Sequence, residues 1–153
     1  MDLLLWRHAE AEDWVPGRDD MQRALTARGE KQAARMAAWL DRQLPQGARI
    51  WCSPARRCEQ TVLALGRKYK LSAQIAPGAR VEDLLQLAQW PQASATVLLV
   101  GHQPTLGRAA AQLLGLSGGD CPVKKGALWW LRRRDRLAHT QTVLVAVQSP
   151  ELL

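Results

Sequence analysis

The sequence predicts an α/β fold, a three-layer α/β/α sandwich built around a mixed but mostly parallel sheet. Short apolar runs alternate with amphipathic segments along most of the chain, which is the pattern of strands connected by covering helices. The last two apolar runs are separated only by a short charged stretch, as in an antiparallel pair. The chain has 153 residues, enough for one domain with a sizeable core but short for two, so residues 1–153 are treated as a single domain.

The first half of the chain is predicted to contain two strands and two helices, with one long polar loop. In chain order we expect a strand over 3–6, a loop over 9–25, a helix from 26 to about 44, a strand over 49–52 and a helix from 53 to about 69. Thr26 is a suitable N-cap for the first helix. Ser53 followed by Pro54 combines an N-cap with the residue favoured at the first helical position.

The second half is predicted to continue this alternation and to end in two consecutive strands. We expect an edge strand over 72–75, a helix from 81 to about 89, a strand over 96–100, a helix from 104 to about 114, a loop over 116–123, and strands over 127–132 and 142–147. A charged turn over 133–136 is expected to join the last two strands. Trp129 and Trp130 are adjacent in a strand, so their side chains are predicted to lie on opposite faces.

The composition excludes several classes of protein. Hydrophobic residues make up 47% of the chain and charged residues 23%, which is ordinary for a folded domain and excludes extended disorder. No apolar run approaches the roughly 18 residues of a membrane span, and the run over 3–6 is too short for a signal peptide. We therefore expect a cytoplasmic protein with no membrane partner.

Cysteine usage argues against disulfides and structural metal. Cys52, Cys58 and Cys121 are odd in number and lack the spacing of a disulfide framework, so we expect them to be reduced packing residues. No cysteine and histidine are spaced like zinc ligands. We expect no metal and no other cofactor.

The charge balance points to an anionic substrate. The net charge is +7, and a basic surface attracts both nucleic acids and phosphorylated molecules. The basic residues are scattered apart from 124–125 and 132–134, and no helix-turn-helix, aromatic RNA-binding motif or zinc finger is visible. We therefore expect a phosphorylated substrate and no nucleic-acid partner.

Polar side chains follow three of the predicted strands at the point where each strand ends. Arg7 and His8 come directly after the first strand, Arg57 lies one turn into the helix after the second, and His102 follows the strand over 96–100. Because the carboxyl ends of parallel strands meet at one edge of a sheet, these side chains are expected to converge. The helix that begins at Pro104 brings a positive dipole end to the same edge.

This set of residues is typical of a phosphate site. Arginine forks bind phosphate oxygens in pairs. A histidine can accept the phosphoryl group as a nucleophile, and a second, protonated histidine can stabilise the equatorial oxygens of the transition state. A lone histidine after a strand is usually structural, but two of the chain's three histidines share this position. Arg56 and His139 are interpreted as surface residues.

At these residues the chain resembles the histidine phosphatase superfamily, whose members have the phosphoglycerate mutase-like fold. The start of the chain, ending Trp6-Arg7-His8-Ala9, is similar to the superfamily's Arg-His-Gly signature, with alanine in place of glycine. The resemblance is closest to the bacterial phosphohistidine phosphatases of the SixA type and covers essentially the whole chain. The other matching segments are 24–29, 53–61, 100–105 and 124–127. It implies a minimal version of the fold without a large cap.

The resemblance also implies roles for individual residues. His8 would be the nucleophile, Arg7 and Arg57 would hold phosphate oxygens, and His102 would be the second histidine of the pocket. Lys125 is expected near the same pocket from its charge and position. The general acid stays open, and the candidates are Glu10, Glu12, Asp13, Glu82, Asp83 or none of them.

The function implied by the resemblance is removal of phosphate from phosphohistidine in a signalling or phosphotransfer protein, through a covalent intermediate on His8. The same pocket would take phosphate and other oxyanions. The lack of an obvious acid agrees with this substrate, because protonated imidazole leaves more easily than an alkoxide. Two alternatives stay open: a broad small-molecule phosphomonoesterase of the same superfamily, and a non-catalytic phosphoprotein-binding module.

Overall fold

Six strands form one mixed sheet in the computed structural model, which describes residues 1–153. The strands are β1 (Asp2–Arg7), β2 (Arg49–Cys52), β3 (Lys70–Leu71), β4 (Val97–Gly101), β5 (Leu128–Arg136) and β6 (His139–Gln148). Their order across the sheet is β3-β2-β4-β1-β5-β6. The first four strands in this order are parallel, whereas β5 is antiparallel to β1 and to β6. The predicted mixed, mostly parallel sheet is therefore confirmed.

Four α-helices cover the two faces of this sheet. They are α1 (Ala27–Gln43), α2 (Arg56–Leu63), α3 (Val81–Ala88) and α4 (Thr105–Leu114), and three short 3₁₀ helices span Asp20–Gln22, Ala73–Ile75 and Pro150–Leu152. Apolar side chains of α1 and α2 pack with one face of the sheet, and those of α3 and α4 pack with the other. The three-layer arrangement is confirmed. None of the helices combines the length and the apolar character needed to cross a membrane.

The central strand shows why an unbroken apolar run becomes a strand here. Leu4 and Trp6 belong to the core shared with α1 and α2, whereas Leu3 and Leu5 belong to the core shared with α3 and α4. All four side chains are fully buried. Since side chains alternate between the faces of a strand, only a strand covered on both sides can bury every member of such a run.

The first helix begins as its sequence predicts. The hydroxyl of Thr26 accepts a hydrogen bond from the backbone N–H of Gly29 at 3.0 Å, which satisfies one of the free donors at the helix start. Gly29 is required there for space, because a Cβ atom at that position would come within 1.9 Å of the Glu10 carbonyl oxygen. The helix start therefore packs directly on the chain segment that follows β1.

The second helix is shorter than predicted at both ends. It begins at Arg56 with Ala55 as N-cap and ends at Leu63, rather than running from Ser53 to about 69. The hydroxyl of Ser53 accepts from the Ala55 N–H and also contacts the His102 ring. Ser53 therefore lies three residues before the first residue of the helix, and its side chain is part of the polar edge of the sheet.

The predicted edge strand over 72–75 is wrong. The edge strand is β3, which spans only Lys70–Leu71, and residues Ala73–Ile75 form a 3₁₀ helix. The reason is Ser72, whose hydroxyl accepts from the Gln74 N–H at 3.2 Å. A serine that bonds its own local backbone competes with strand pairing and turns the chain.

The charged turn predicted over 133–136 is also wrong. Strand β5 continues to Arg136, which pairs with His139, and the turn consists of Leu137 and Ala138. Leu137 takes a left-handed conformation with φ of 51°, which lets two residues reverse the chain. Trp129 and Trp130 do face opposite sides, since each packs against a different core.

Candidate active site

The carboxyl ends of the parallel strands bring the two predicted histidines together. Arg7 at the end of β1 lies opposite Gly101 at the end of β4. The next residues, His8 and His102, are therefore neighbours, with ring centroids 5.4 Å apart. Strand β2 ends beside β4 and places Ser53 at the same edge, 2.7 Å from His102 Nε2.

A polar cavity of about 180 Å³ opens at this edge. The structure brings together in its wall all of the site residues named from the sequence: Arg7, His8, Arg57, His102 and Lys125. The wall also contains Arg23, for which no sequence pattern indicated a role, together with Asp13 and Gln103. Its size and its cationic lining suit a small anion such as phosphate.

His8 is held in one tautomer by its own backbone neighbour. Its Nδ1 lies 2.7 Å from the carbonyl oxygen of Ala9. A carbonyl can only accept, so Nδ1 carries the proton and Nε2 keeps a free lone pair. Burial lowers the pKa of His8 to about 4, and the positive charges of Arg57 and Arg7 act in the same direction. Near neutral pH the ring is uncharged.

His102 is neutral as well, which differs from the protonated second histidine expected from the sequence. Burial lowers the pKa of His102 to about 3, and the charge of Arg57 contributes to the shift. Arg57 Nη2 lies 3.4 Å from His102 Nδ1. A guanidinium can only donate, so Nδ1 accepts and Nε2 carries the proton that is donated to the Ser53 hydroxyl. The expected protonated state is therefore wrong for this structure, because burial of the ring and the nearby positive charge both disfavour a second proton.

The two arginines are anchored but keep hydrogen-bonding capacity. Arg7 Nη1 donates to the carbonyl oxygen of Val123 at 2.8 Å. Arg57, almost fully buried, donates from Nη1 to the carbonyl oxygen of Asp20 at 2.9 Å. The Nε atoms of Arg7 and Arg57 are buried and have no hydrogen-bond partner. Because buried donors are nearly always paired, these two guanidinium groups are suited to receive an anion.

A short ion-pair chain that sequence analysis missed supports Arg57. The carboxylate of Asp20 accepts from Arg57 Nη2 at 3.1 Å and from Arg23 Nε at 2.8 Å. Burial opposes ionisation of Asp20, but hydrogen bonds and charge from the two arginines outweigh it and lower its pKa. Both Asp20 and Arg23 lie in the long polar loop, which has no periodicity from which their position could be read.

Two polar side chains of α2 bond the two ends of the loop between β1 and α1. The Thr61 hydroxyl accepts from the Ala9 N–H at 3.1 Å and donates to the Arg57 carbonyl oxygen at 2.7 Å. Gln60 Oε1 accepts from the Leu25 N–H at 2.6 Å. These contacts fix the segment that follows His8 against the turn that carries Arg57.

The loop between α4 and β5 positions the backbone of His8. The N–H of Gly126 donates to the carbonyl oxygen of His8 at 2.9 Å. Gly126 has a φ of 75°, a left-handed conformation that favours glycine. Its neighbour Lys125 is exposed and lines the cavity.

A buried cysteine also contacts the site, but it is not a nucleophile. Cys58 Sγ lies 3.5 Å from His102 Nε2. Burial raises the pKa of Cys58 to about 12, so the reactive thiolate is absent at neutral pH. All three cysteines are buried and unpaired, as predicted.

The candidate general acids differ in whether they line the cavity. Asp13 is the one carboxylate that lines the cavity, and its side chain is exposed. Glu10 accepts a hydrogen bond from the Thr26 hydroxyl at 2.8 Å, and Asp83 pairs with Arg80 on the surface of α3. Neither of these two, nor Glu12 or Glu82, lines the cavity.

The chain is similar to known proteins over most of its length. Residues 3–80 match the family model described as Histidine phosphatase superfamily (branch 1). A phosphohistidine phosphatase SixA homolog from Haemophilus influenzae is 31% identical over 131 residues, covering 75% of this chain and 78% of that protein. Phosphohistidine phosphatase SixA from Escherichia coli is 31% identical over 122 residues, covering 74% of each. A SixA-type structure from Agrobacterium tumefaciens superposes with a TM-score of 0.81 at 26% identity, covering 97% of both chains.

Proposed function

The chain belongs to the histidine phosphatase superfamily, and from that membership we propose that it removes the phosphoryl group from phosphohistidine in a protein. It is a SixA-type phosphatase. The observation that carries the proposal is the contact of 2.7 Å between His8 Nδ1 and the Ala9 carbonyl oxygen. This contact leaves the other ring nitrogen, Nε2, unprotonated beside two arginines.

In the first step, His8 Nε2 attacks phosphorus. The phosphorus–nitrogen bond of the substrate breaks, and its electron pair returns to the substrate imidazole, which leaves neutral because its other nitrogen is already protonated. The His8 ring becomes positively charged, and the Ala9 carbonyl oxygen accepts from its Nδ1–H. Arg7 and Arg57 neutralise charge on the phosphoryl oxygens throughout.

In the second step, water attacks the phosphorus bound to His8. The bond between phosphorus and Nε2 breaks, and its electron pair returns to the ring, which is again neutral with Nδ1 protonated. The oxygen and both hydrogens of the water leave with the phosphoryl group as dihydrogen phosphate. Positioning and charge neutralisation supply most of the catalysis in such transfers.

The cavity wall favours phosphohistidine over phosphate esters. An alkoxide leaving group needs a positioned acid, and the single carboxylate in the wall, Asp13, is exposed and makes no hydrogen bond that holds it in place. A protonated imidazole leaves without that help. The chain also has no inserted domain between its strands and helices that would enclose a small molecule.

The test compares catalytic efficiencies on two classes of substrate. A histidine phosphotransfer domain and a histidine phosphocarrier protein, both phosphorylated with phosphoramidate, are compared with a chromogenic aryl phosphate, and His8→Ala serves as the inactive control. We expect kcat/KM to be at least about 100-fold higher on one of the proteins, because the first step on the ester has no positioned acid to protonate the leaving oxygen, whereas the second step is the same for all three substrates.

Equal or greater efficiency on the aryl phosphate would replace the proposal with a small-molecule phosphomonoesterase. Failure to turn over any of the three substrates, with retained binding of the phosphoproteins, would indicate a binding module instead.

A further inference from the structure

The loop between β1 and α1 exposes two large apolar side chains directly after a residue that lines the cavity. Trp14 is 56% exposed and Val15 is 48% exposed. They directly follow Asp13, which lines the catalytic cavity. A tryptophan and a valine exposed side by side are typical of a surface that binds another protein, because tryptophan is enriched among residues that dominate such interfaces.

A second cavity lies beside the catalytic one and is lined mostly by residues of this loop. It has a volume of about 660 Å³ and is lined in part by Val15 and Arg18. Asp13 and Arg23 line both cavities, so the two are adjacent. Arg18 takes part in no ion pair and no side-chain hydrogen bond, and its guanidinium group is therefore free for a carboxylate.

The loop is held in place rather than loose. The N–H of Glu12 donates to the carbonyl oxygen of Ala24 at 2.8 Å, and that of Arg18 donates to the carbonyl oxygen of Val15 at 3.1 Å. Arg23 Nη1 donates to the Glu12 carbonyl oxygen at 2.8 Å. A surface whose conformation is already set loses less entropy when a partner binds.

We propose that Trp14, Val15 and Arg18 form the docking surface for the phosphohistidine-bearing protein itself; this rests on the proposed function. A catalytic cavity of about 180 Å³ holds a phosphoryl group and its imidazole but nothing larger. The rest of a protein substrate has to lie outside, against the surface that adjoins the cavity. The partner surface that fits has an apolar side chain for Trp14 and Val15 and a carboxylate for Arg18, within reach of its phosphohistidine.

The experiment measures steady-state kinetics of the full chain with two substrates for each variant. The substrates are the phosphorylated protein that the wild type hydrolyses best and the aryl phosphate. The variants are Trp14→Ala, which removes the apolar contact, and Arg18→Glu, which reverses the charge. Leu137→Ala is the matched control, because Leu137 is a fully exposed leucine at the β5–β6 turn, beyond the opposite edge of the sheet.

We expect Trp14→Ala and Arg18→Glu to raise KM for the phosphorylated protein about tenfold or more, with kcat almost unchanged. Neither residue lines the catalytic cavity, so activity on the aryl phosphate should stay at the wild-type level. Unchanged KM for the protein in both variants, or an equal loss on both substrates, would overturn the docking surface while leaving the proposed function standing. A wild type that hydrolyses no phosphohistidine protein would overturn both.

Discussion

Arg57 donates from Nη2 towards His102 Nδ1 across 3.4 Å and also holds the carboxylate of Asp20 at 3.1 Å. One buried guanidinium therefore links the second histidine of the site to the loop that borders it. Burial is the main reason why the pKa of His102 is lowered, and Arg57 adds to it, since a positive charge directly beside Nδ1 disfavours a second proton on the ring.

The buried position of Arg57 leads to a prediction about two neighbouring arginines. Arg57→Ala should lower kcat on the aryl phosphate by on the order of 100-fold or more, because it removes a charge contact to the transition state. Arg56→Ala should have little effect on that substrate, since Arg56 is exposed and does not line the catalytic cavity. Steady-state kinetics of the two variants decide the matter, and equal losses would mean that Arg57 does not act on the phosphoryl group.

The tautomer of His8 predicts a phosphoenzyme on its Nε2. Rapid quenching with labelled substrate should trap phosphate on His8, and the label should be lost in acid but kept in alkali. His8→Ala should carry no label and should still bind vanadate or tungstate through the remaining cationic wall. Peptide mapping locates the label. Recovery on a serine or an aspartate, or label in His8→Ala, would exclude covalent catalysis by His8.

The low pKa values of the two buried histidines predict an unusual NMR titration. The pKa of His8 is about 4 and that of His102 about 3, against an ordinary 6.5. Their ring resonances should therefore stay unshifted from pH 8 down to about pH 5. The variant His139→Ala identifies the resonance of the exposed His139, so that the two remaining histidine resonances belong to His8 and His102. A midpoint above pH 6 for either buried ring would show that the site holds a charged histidine.

The lowered pKa of His8 predicts how the free energy of unfolding depends on pH. Between pH 6.5 and pH 4 the unfolded chain binds a proton at residue 8 more readily than the folded chain, so stability falls as pH falls through this window. For His8 the full loss is about 3 kcal/mol. Urea unfolding at pH 7 and pH 4.5 should show a smaller loss for His8→Gln than for the wild type. His139→Gln is the control, and the prediction fails if all three proteins lose stability equally.

Close packing at the start of α1 predicts a large effect from one methyl group. A Cβ atom at Gly29 would lie 1.9 Å from the Glu10 carbonyl oxygen, so Gly29→Ala must displace the segment that follows His8. We expect a loss of about 1–3 kcal/mol in stability, as for overpacked cores, together with reduced turnover. Gly47→Ala is the matched control, because nothing lies within 4 Å of its added Cβ. Thermal unfolding of both variants measures the difference, and equal melting temperatures would contradict the clash.

The sequence by itself determined the layered architecture and the edge of the sheet where the site lies. Unbroken apolar runs such as 3–6 can be buried only in a strand covered on both faces, and the start of α1 can be read from Thr26, whose cap is a local hydrogen bond. The residues that follow such strands meet at one edge because parallel strands share their direction. His8 and His102 could therefore be predicted to lie at the same edge, whereas the adjacency of β1 and β4 that makes them neighbours came only from the fold.

Only the tertiary structure decided the remainder of the site. The loop that holds Asp20 and Arg23 takes its conformation from contacts with distant α2 residues, such as Gln60 bonding the Leu25 N–H at 2.6 Å. Contacts across 35 positions of the chain leave no periodic signal in the loop itself. The charge of His102 depends in the same way on burial and on Arg57, which are properties of the assembled site. Local hydrogen bonds and burial patterns can be read along a chain, whereas a cation's distance from a buried ring exists only once the chain has folded.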